Sequence, residues 1–267
     1  DRTLFFTDGR YRHQAAAEVP GAEVVLAPGD LIGPVGGVVR TAGNGLGFEP
    51  AGLTWGDGQR LRSGLPGQAV MPAPPLVEEL REVKDERELA AMREAARLGG
   101  EALDGVLAGL REGVTEREVA VDLELAMRRL GADGTAFDTI VAFGEQAAEP
   151  HHHPGDRPLR AGDLATLDFG ARVDGYCADM TRTVVLGKAS QRQRDLYELV
   201  RGAQAAGLAC LEAGVPAGEV DRACRQPIAE AGLGDSFPHP TGHGIGLEVH
   251  EAPRVGAGSR ARVAAGT

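Results

Sequence analysis

The sequence predicts two folds in series. An α/β domain is expected over residues 1–75, ending in a proline-rich linker, followed by an α+β domain over residues 76–267 with internal pseudo-two-fold symmetry. Three observations predict this. Short strand-like and helix-like runs alternate before a cluster of prolines. The stretch after the prolines is rich in helix formers. That second part also repeats itself, with 110–119 aligning on 211–220, an offset of 101.

The opening "TLFFT", followed by Asp8 and Gly9, reads as a strand and a turn. "RYRHQAAAEV" suits a helix, "AEVVLA" a second strand, and "LGFEPAGLTW" a further short strand and turn. Pro66, Pro72, Pro74 and Pro75 then read as a linker. Beyond it, "LVEELREVKDERELAAMREAARLGGEALDGVLAGLREG" predicts helix, with Gly113 as the residue that closes it. Thr115 and Glu118 have capping-box spacing, and Val119, Leu123, Met127 and Leu130 follow at helical intervals. Ser190 and Gln193 repeat that box before another helical run, which Gly214 is expected to close.

The repeat continues past the helices. Gly131 corresponds to Gly232, "HHHP" at 151–154 to "HEAP" at 250–253, and Gly162 to Gly266. Matches in the same order predict two similar halves, each helix–helix–strands. Asp168 lies six residues after Gly162, so a second carboxylate is expected six after Gly266, five beyond Thr267.

Composition narrows the function classes. With 42% hydrophobic and 25% charged residues, the chain is ordinary for a globular protein. A net charge of −11 argues against nucleic acid or an anionic membrane as partner. No apolar run approaches the ~20 residues a membrane span needs. Cys177, Cys210 and Cys224 form no CxxC pair, which predicts reduced, buried thiols in a cytoplasmic protein. The sequence starts at Asp1 without Met and stops at "VAAGT"; both ends read as cuts, which leaves room for a removed signal peptide.

The chemistry concentrates in two stretches. In "GDLATLDFGARVDGYCADMTRTVVLG", Asp174-Gly175 is a hairpin turn signal. If 173 pairs with 176, Asp168 faces Thr181, and Asp179 points to the same face as Asp168. Diagonal cross-strand neighbours lie ~7–8 Å apart, and two carboxylates there can converge on two cations. The alternative is a pair of surface acids beside Arg172 and Arg182, but the apolar run "LATLDF" favours metal, because a buried unpaired carboxylate is costly.

The second stretch is "FPHPTGHGIGLEVHE", residues 237–251. Alternating glycines would each cost about 1 kcal/mol in a helix, so an extended chain under close backbone approach is expected. His243 is the natural nitrogen ligand. His243 and His250 have opposite parity on an ideal strand, so a bulge at Gly244 or Gly246 must bring both to one site. His151 matches His250 across the repeat and should approach from the opposite side.

From "VKDERELAAMREAARLGG" onward the chain resembles the pita-bread metallopeptidases, the family of Xaa-Pro dipeptidase, aminopeptidase P, methionine aminopeptidase and the metal-free creatinase. "FDTIVAFG", "PHHHP", "LDFGARVDGYCADMTRTVVLG" and "HPTGHGIGLEVHEAP" match the family's blocks in order, and residues 1–65 resemble part of the small creatinase N-terminal-like domain carried by its proline-directed and creatinase branches. The resemblance implies that Asp168, Asp179 and His243 are metal ligands. It implies that His151, His239 and His250 position substrate and stabilise the tetrahedral intermediate, with His152 and His153 left as alternatives to His151. Two glutamate ligands of the family pattern are expected beyond Thr267.

The function so implied is hydrolysis of the bond preceding proline, in Xaa-Pro dipeptides first and by aminopeptidase P action on longer peptides as the alternative. Two divalent cations are expected, Mn²⁺ first, with Co²⁺ or Zn²⁺ as alternatives. Short proline-containing peptides are the expected partners, with no nucleic acid or membrane, and a homodimer is expected because a neighbouring subunit's N-terminal domain caps the site in relatives. Some pita-bread folds are non-catalytic binding scaffolds; those lose ligands, whereas this chain keeps Asp168, Asp179 and His243.

Overall fold

Helix caps fix the frame of the catalytic half. Asp85, Thr115 and Ser190 each accept a hydrogen bond from a first-turn amide, and Glu88, Glu118 and Gln193 reach back to complete the box. Such caps typically contribute about 1 kcal/mol each. The computed structural model describes residues 2–27, 29–42 and 45–267. By internal contacts the chain divides into Asp1–Leu76 and Val77–Thr267.

In the first unit, β1 (Leu4–Thr7) pairs in parallel with β2 (Glu23–Leu26) across helix α1 (Arg12–Glu18). Helix α2 (Ile32–Ala42) leads to β3 (Leu46–Phe48), then α3 (Trp55–Gly64) and β4 (Val70–Pro72), which pairs in parallel with β3. Three of these elements depart from the sequence reading, α3 among them, since no helix is expected in "WGDGQRLRSG". Helix α2 was not expected in "IGPVGGVVRTA", whose glycines and proline weaken any helical signal. Strand β4 lies inside the proline-rich stretch; Pro72 is tolerated there as the last strand residue.

The second unit opens with α4 (Leu76–Glu82), the boundary residue Leu76 apart, and the long α5 (Glu86–Gly109). Helix α6 (Glu116–Leu130) follows, capped by Gly131 at φ +114°. The strands are β5 (Gly134–Thr135), β6 (Ile140–Phe143), β7 (Leu164–Phe169), β8 (Ala171–Val173), β9 (Tyr176–Cys177) and β10 (Met180–Val185). Helices α7 (Gln191–Cys210) and α8 (Ala217–Glu230) precede β11 (Gly242–Gly244) and β12 (Glu251–Val255). Three antiparallel strands run in the order β10–β7–β6.

Strand β7 sorts its residues by alternation. Ala165, Leu167 and Phe169 are fully buried in the core with Phe143, Leu98, Leu123 and Met127. Burying a side chain such as Leu167 or Phe169 contributes roughly 1.5–3 kcal/mol. Leu164, Thr166 and Asp168 occupy the other, half-buried face. The same packing that fills the core therefore presents Asp168 on the open side of the sheet.

The two halves make matching contacts. Gly113 (φ +89°) donates to Leu159 O at 2.9 Å, and Gly214 (φ +91°) to Val263 O at 2.7 Å. Leu159 in turn donates to Val114 O at 2.8 Å, and Val263 to Val215 O at 3.0 Å. These bonds correct one expectation. Gly113 and Gly214 do not close helices, because α5 ends at Gly109 and α7 at Cys210. Their left-handed backbones instead turn the chain so that each interhelical link pairs with a distant loop. The second repeat match holds at Gly162 and Gly266, which share φ values of +87° and +91°.

Candidate metal centre

The β8–β9 hairpin turns through Asp174 (φ +50°) and Gly175 (φ +84°), as a two-residue primed turn requires. Val173 pairs with Tyr176 and Arg172 with Cys177. The same register continues into β7 and β10, where Asp168 faces Thr181. The Thr181 hydroxyl donates to Asp168 Oδ1 at 2.6 Å. Gly170 makes this possible: a Cβ there would stand 1.9 Å from the Ala178 carbonyl oxygen. With that carbonyl closed against Gly170, Asp179 follows at once on the Asp168 face.

The hairpin also carries the glycine-rich stretch. Cys177 N–H donates to Gly246 O at 2.8 Å. Strand β11 pairs His243 with Arg254 of β12, then slips so that Gly244 pairs with Glu251. This is the bulge that parity demanded, and it lays the His243 and His250 rings together, centroids 4.3 Å apart. Two glycines explain themselves. A Cβ on Gly244 would meet Ala252 O at 2.0 Å, and one on Gly246 would meet Glu251 Oε2 at 2.6 Å. Nothing stands within 4 Å of a Cβ on Gly242, and nothing in the structure explains that glycine.

His243 thus reaches Asp179, with Nε2 3.4 Å from Asp179 Oδ2. Its Nδ1 lies 2.9 Å from Gly244 O, so Nδ1–H donates there and Nε2 is the nitrogen turned to Asp179. The ring's hydrogen bond to the Asp179 carboxylate holds the imidazole above its ordinary pKa, against burial. Burial pushes the Asp168 carboxyl up, and the Asp179 charge adds to the shift; the Thr181 hydroxyl and the His151 and His243 imidazoles oppose it. Two carboxylates that repel each other beside an imidazole whose Nε2 faces them form a donor set suited to cations. In donor type these residues fit a metal. They are joined pairwise, however, and among the described residues no group of three or more His, Cys, Asp or Glu side chains is gathered to hold an ion.

The remaining histidines take different positions. His151, His239 and His250 are exposed. His239 lines an open groove of about 660 Å³ with Arg225 and Arg254, its ring edge-on to Phe237 at 5.0 Å. His152 is turned away from solvent and stands 2.9 Å from Glu116 Oε2. Glu116 is fully buried and also accepts from Phe143 N at 2.8 Å and Gly155 N at 3.0 Å. His152 is therefore a framework residue; His151 is the neighbour that lies within electrostatic reach of Asp168.

Three charged residues support the site without having been read from sequence, Asp221 and Glu251 with buried side chains and Arg225 half-buried. Asp221 accepts from Thr241 N at 3.1 Å and Thr241 Oγ1 at 2.8 Å, two residues before His243. Arg225, paired with Asp221, donates to Phe237 O at 2.7 Å and His239 O at 2.8 Å. Glu251 pairs with Arg81 and Lys84. The i,i+4 spacing of Asp221 and Arg225 was a readable signal; the Glu251 and Glu116 contacts join residues too far apart to be seen in one chain.

Cys177, Cys210 and Cys224 are all free; Cys177 and Cys224 are buried and Cys210 is half-buried. No helix among the described residues is long and apolar enough to cross a membrane.

Comparison with known proteins adds a lineage. The pattern of metallopeptidase family M24 matches residues 90–267, and that of the creatinase/prolidase N-terminal domain matches residues 1–83. The chain is 39% identical to the uncharacterized peptidase YqhT of Bacillus subtilis over 262 residues, 98% of this chain and 74% of that protein. An uncharacterized peptidase of Staphylococcus aureus is 36% identical over 208 residues, 78% of this chain, and the match spans only 59% of its length. Among solved structures, an Xaa-Pro dipeptidase from Bacillus anthracis superposes with a TM-score of 0.94 at 39% identity, over 98% of this chain and 74% of that one. An X-Pro aminopeptidase from Thermotoga maritima gives 0.89 at 34% identity, over 99% of this chain and 75% of that one.

Proposed function

The chain belongs to metallopeptidase family M24, and on that premise we propose that it hydrolyses the peptide bond preceding proline, Xaa-Pro dipeptides first. The observation that carries this reading is the approach of His243 Nε2 to Asp179 beside the half-buried Asp168. The names of the similar structures, an Xaa-Pro dipeptidase and an X-Pro aminopeptidase, support the proline preference.

In this reading Asp168, Asp179 and His243 hold two divalent cations. An oxygen-rich set with one imidazole suits Mn²⁺, with Co²⁺ and Zn²⁺ as alternatives. When bound, such cations lower the pKa of water toward neutrality and polarise the scissile carbonyl. The chain's own residues do the rest. The Gly244 carbonyl fixes the His243 tautomer so that Nε2 stays available. The Thr181 hydroxyl orients one oxygen of Asp168 and leaves the other free. His250, packed on His243, and His151, from the opposite side, donate hydrogen bonds to the carbonyl oxygen as negative charge develops on it. Such a donor can contribute about 3 kcal/mol. His239 commits Nδ1 to the Pro240 carbonyl at 2.8 Å, which leaves Nε2 to orient substrate.

A homodimer and a cytoplasmic location belong to the same proposal. The free thiols support a reducing compartment, and gel filtration with light scattering tests the assembly. The test of function is to offer Ala-Pro, Ala-Pro-Ala and Met-Ala-Ser to the full-length protein with Mn²⁺. Turnover of Ala-Pro alone supports a dipeptidase, and faster turnover of Ala-Pro-Ala makes it an aminopeptidase P. Preference for Met-Ala-Ser sinks the proline reading.

A further inference from the structure

Lys84 is a buried cation that the proposed reaction leaves unused. Its side chain is 2% exposed, and the Glu251 side chain it meets at 3.2 Å is 6% exposed. Lysine is almost never buried so fully unless paired. Such pairs often add little stability over apolar packing of the same volume, while removing one partner leaves the other charge buried and uncompensated.

What this pair fixes can be traced bond by bond. Glu251 Oε1 accepts from Arg81 Nη2 at 2.5 Å and from Glu248 N–H at 3.1 Å, while Oε2 accepts from Lys84 Nζ. The carboxylate therefore sits inside the turn 246–251, under Gly246, where a Cβ would stand 2.6 Å from Oε2 and push the carboxylate off its partners. That turn carries His250, whose exposed ring rests on His243. The ring's place is set by the backbone of the turn. Lys84 itself is held by its amide, which donates to Gly266 O at 2.9 Å, and by its ammonium, which donates to Glu82 O at 3.1 Å.

Helix α5 begins beside it. Its capping residue Glu88 binds the Asp85 amide at 2.7 Å through Oε2 and accepts from the Tyr176 hydroxyl at 2.7 Å through Oε1. Tyr176 lies on the hairpin three residues before Asp179, and the hairpin joins the same turn through Cys177 N–H and Gly246 O. The start of α5 thus grips both arms of the site, the hairpin through Glu88 and the histidine turn through Lys84.

We propose that Lys84, acting through Glu251, is a positioning residue that sets His250 against the metal centre for catalysis. This rests on the reading of His250 as a group that acts on substrate. A misplacement of about 1 Å at such a group can cost up to about 100-fold in rate.

The test uses the full-length Mn²⁺-loaded protein with Ala-Pro. Lys84→Met keeps the aliphatic stem and removes the charge. It should lower kcat by roughly 10- to 100-fold while KM and bound Mn²⁺ per chain stay within about twofold. In a His250→Ala background the same substitution should change kcat by less than about twofold, because residues that act through one another are not additive. Glu251→Gln, which keeps the shape of the side chain, should repeat the pattern and serves if Lys84→Met does not fold. Wild-type kcat in Lys84→Met, loss of Mn²⁺, or an undiminished effect in the His250→Ala background overturns the proposal. His250→Ala with wild-type kcat overturns the role of His250 itself, a different result from an impaired His250→Ala beside an unimpaired Lys84→Met.

Discussion

His243 Nε2 stands 3.4 Å from Asp179 Oδ2, and its other ring nitrogen is already spent on the Gly244 carbonyl. One backbone bond therefore decides which nitrogen is offered to the carboxylates. The bulge beside His243 explains the glycine that follows it. Gly244 must admit the Ala252 carbonyl for β11 and β12 to slip, and the slip is what turns His243 and His250 to one side.

If His243 is a ligand, His243→Ala should lose metal and turnover together. The loss of Mn²⁺ affinity should exceed the roughly 10- to 100-fold expected for a residue that only supports a ligand. Elemental analysis of the purified variant checks this, and unchanged stoichiometry would remove His243 from the ligand set.

The glycine argument separates two neighbours. Gly244→Ala forces a Cβ against Ala252 O, and overpacking of this kind costs about 1–3 kcal/mol. Gly242→Ala meets nothing within 4 Å and should leave the thermal midpoint nearly unchanged. Equal midpoints for the two variants would mean that the bulge does not depend on Gly244.

These local devices were legible because their partners are close in sequence. The turn at Asp174-Gly175 gave the register of Asp168 against Thr181, and the capping boxes at Thr115 and Ser190 gave two helix starts. The ends of α5 and α7 were misread, because Gly113 and Gly214 answer to distant carbonyls, at Leu159 and Val263, rather than to their own helices. Lys84 and Glu251, or Glu116 and Phe143, meet only through the tertiary fold. No periodicity or spacing along the chain reports such contacts.

Acid should loosen the β11 strand through Asp221. Burial pushes its carboxyl up, but Arg225 and Thr241 outweigh that and hold it below the usual 3.8. A carboxyl whose folded pKa is depressed contributes stability above its unfolded value, and that contribution is lost as pH falls through the folded value. The thermal midpoint should therefore drop as pH is lowered from about 6 to about 3, and drop less steeply in Asp221→Asn. At neutral pH the variant itself should lose about 2 kcal/mol, since hydrogen bonds to a charged group are removed. Parallel pH curves for the two proteins would show that Asp221 is not responsible.

His152 carries the opposite pH sign to Asp221. Burial lowers the His152 pKa, but Glu116 and Glu149 raise it more, so its folded value lies above the ordinary 6.5. Its contribution to stability is complete below that unfolded value and is lost as pH rises through the folded one. His152→Ala also leaves the buried Glu116 with only its two amide donors, at a cost of about 1–3 kcal/mol. The variant should melt earlier at pH 6, and the gap to wild type should narrow as pH rises toward about 9. His151→Ala, which removes an exposed ring, should keep the wild-type melting curve and bound Mn²⁺ while losing much of kcat. If instead His152→Ala melts normally and loses kcat, the imidazole that faces substrate is His152 and the buried pair with Glu116 opens during turnover.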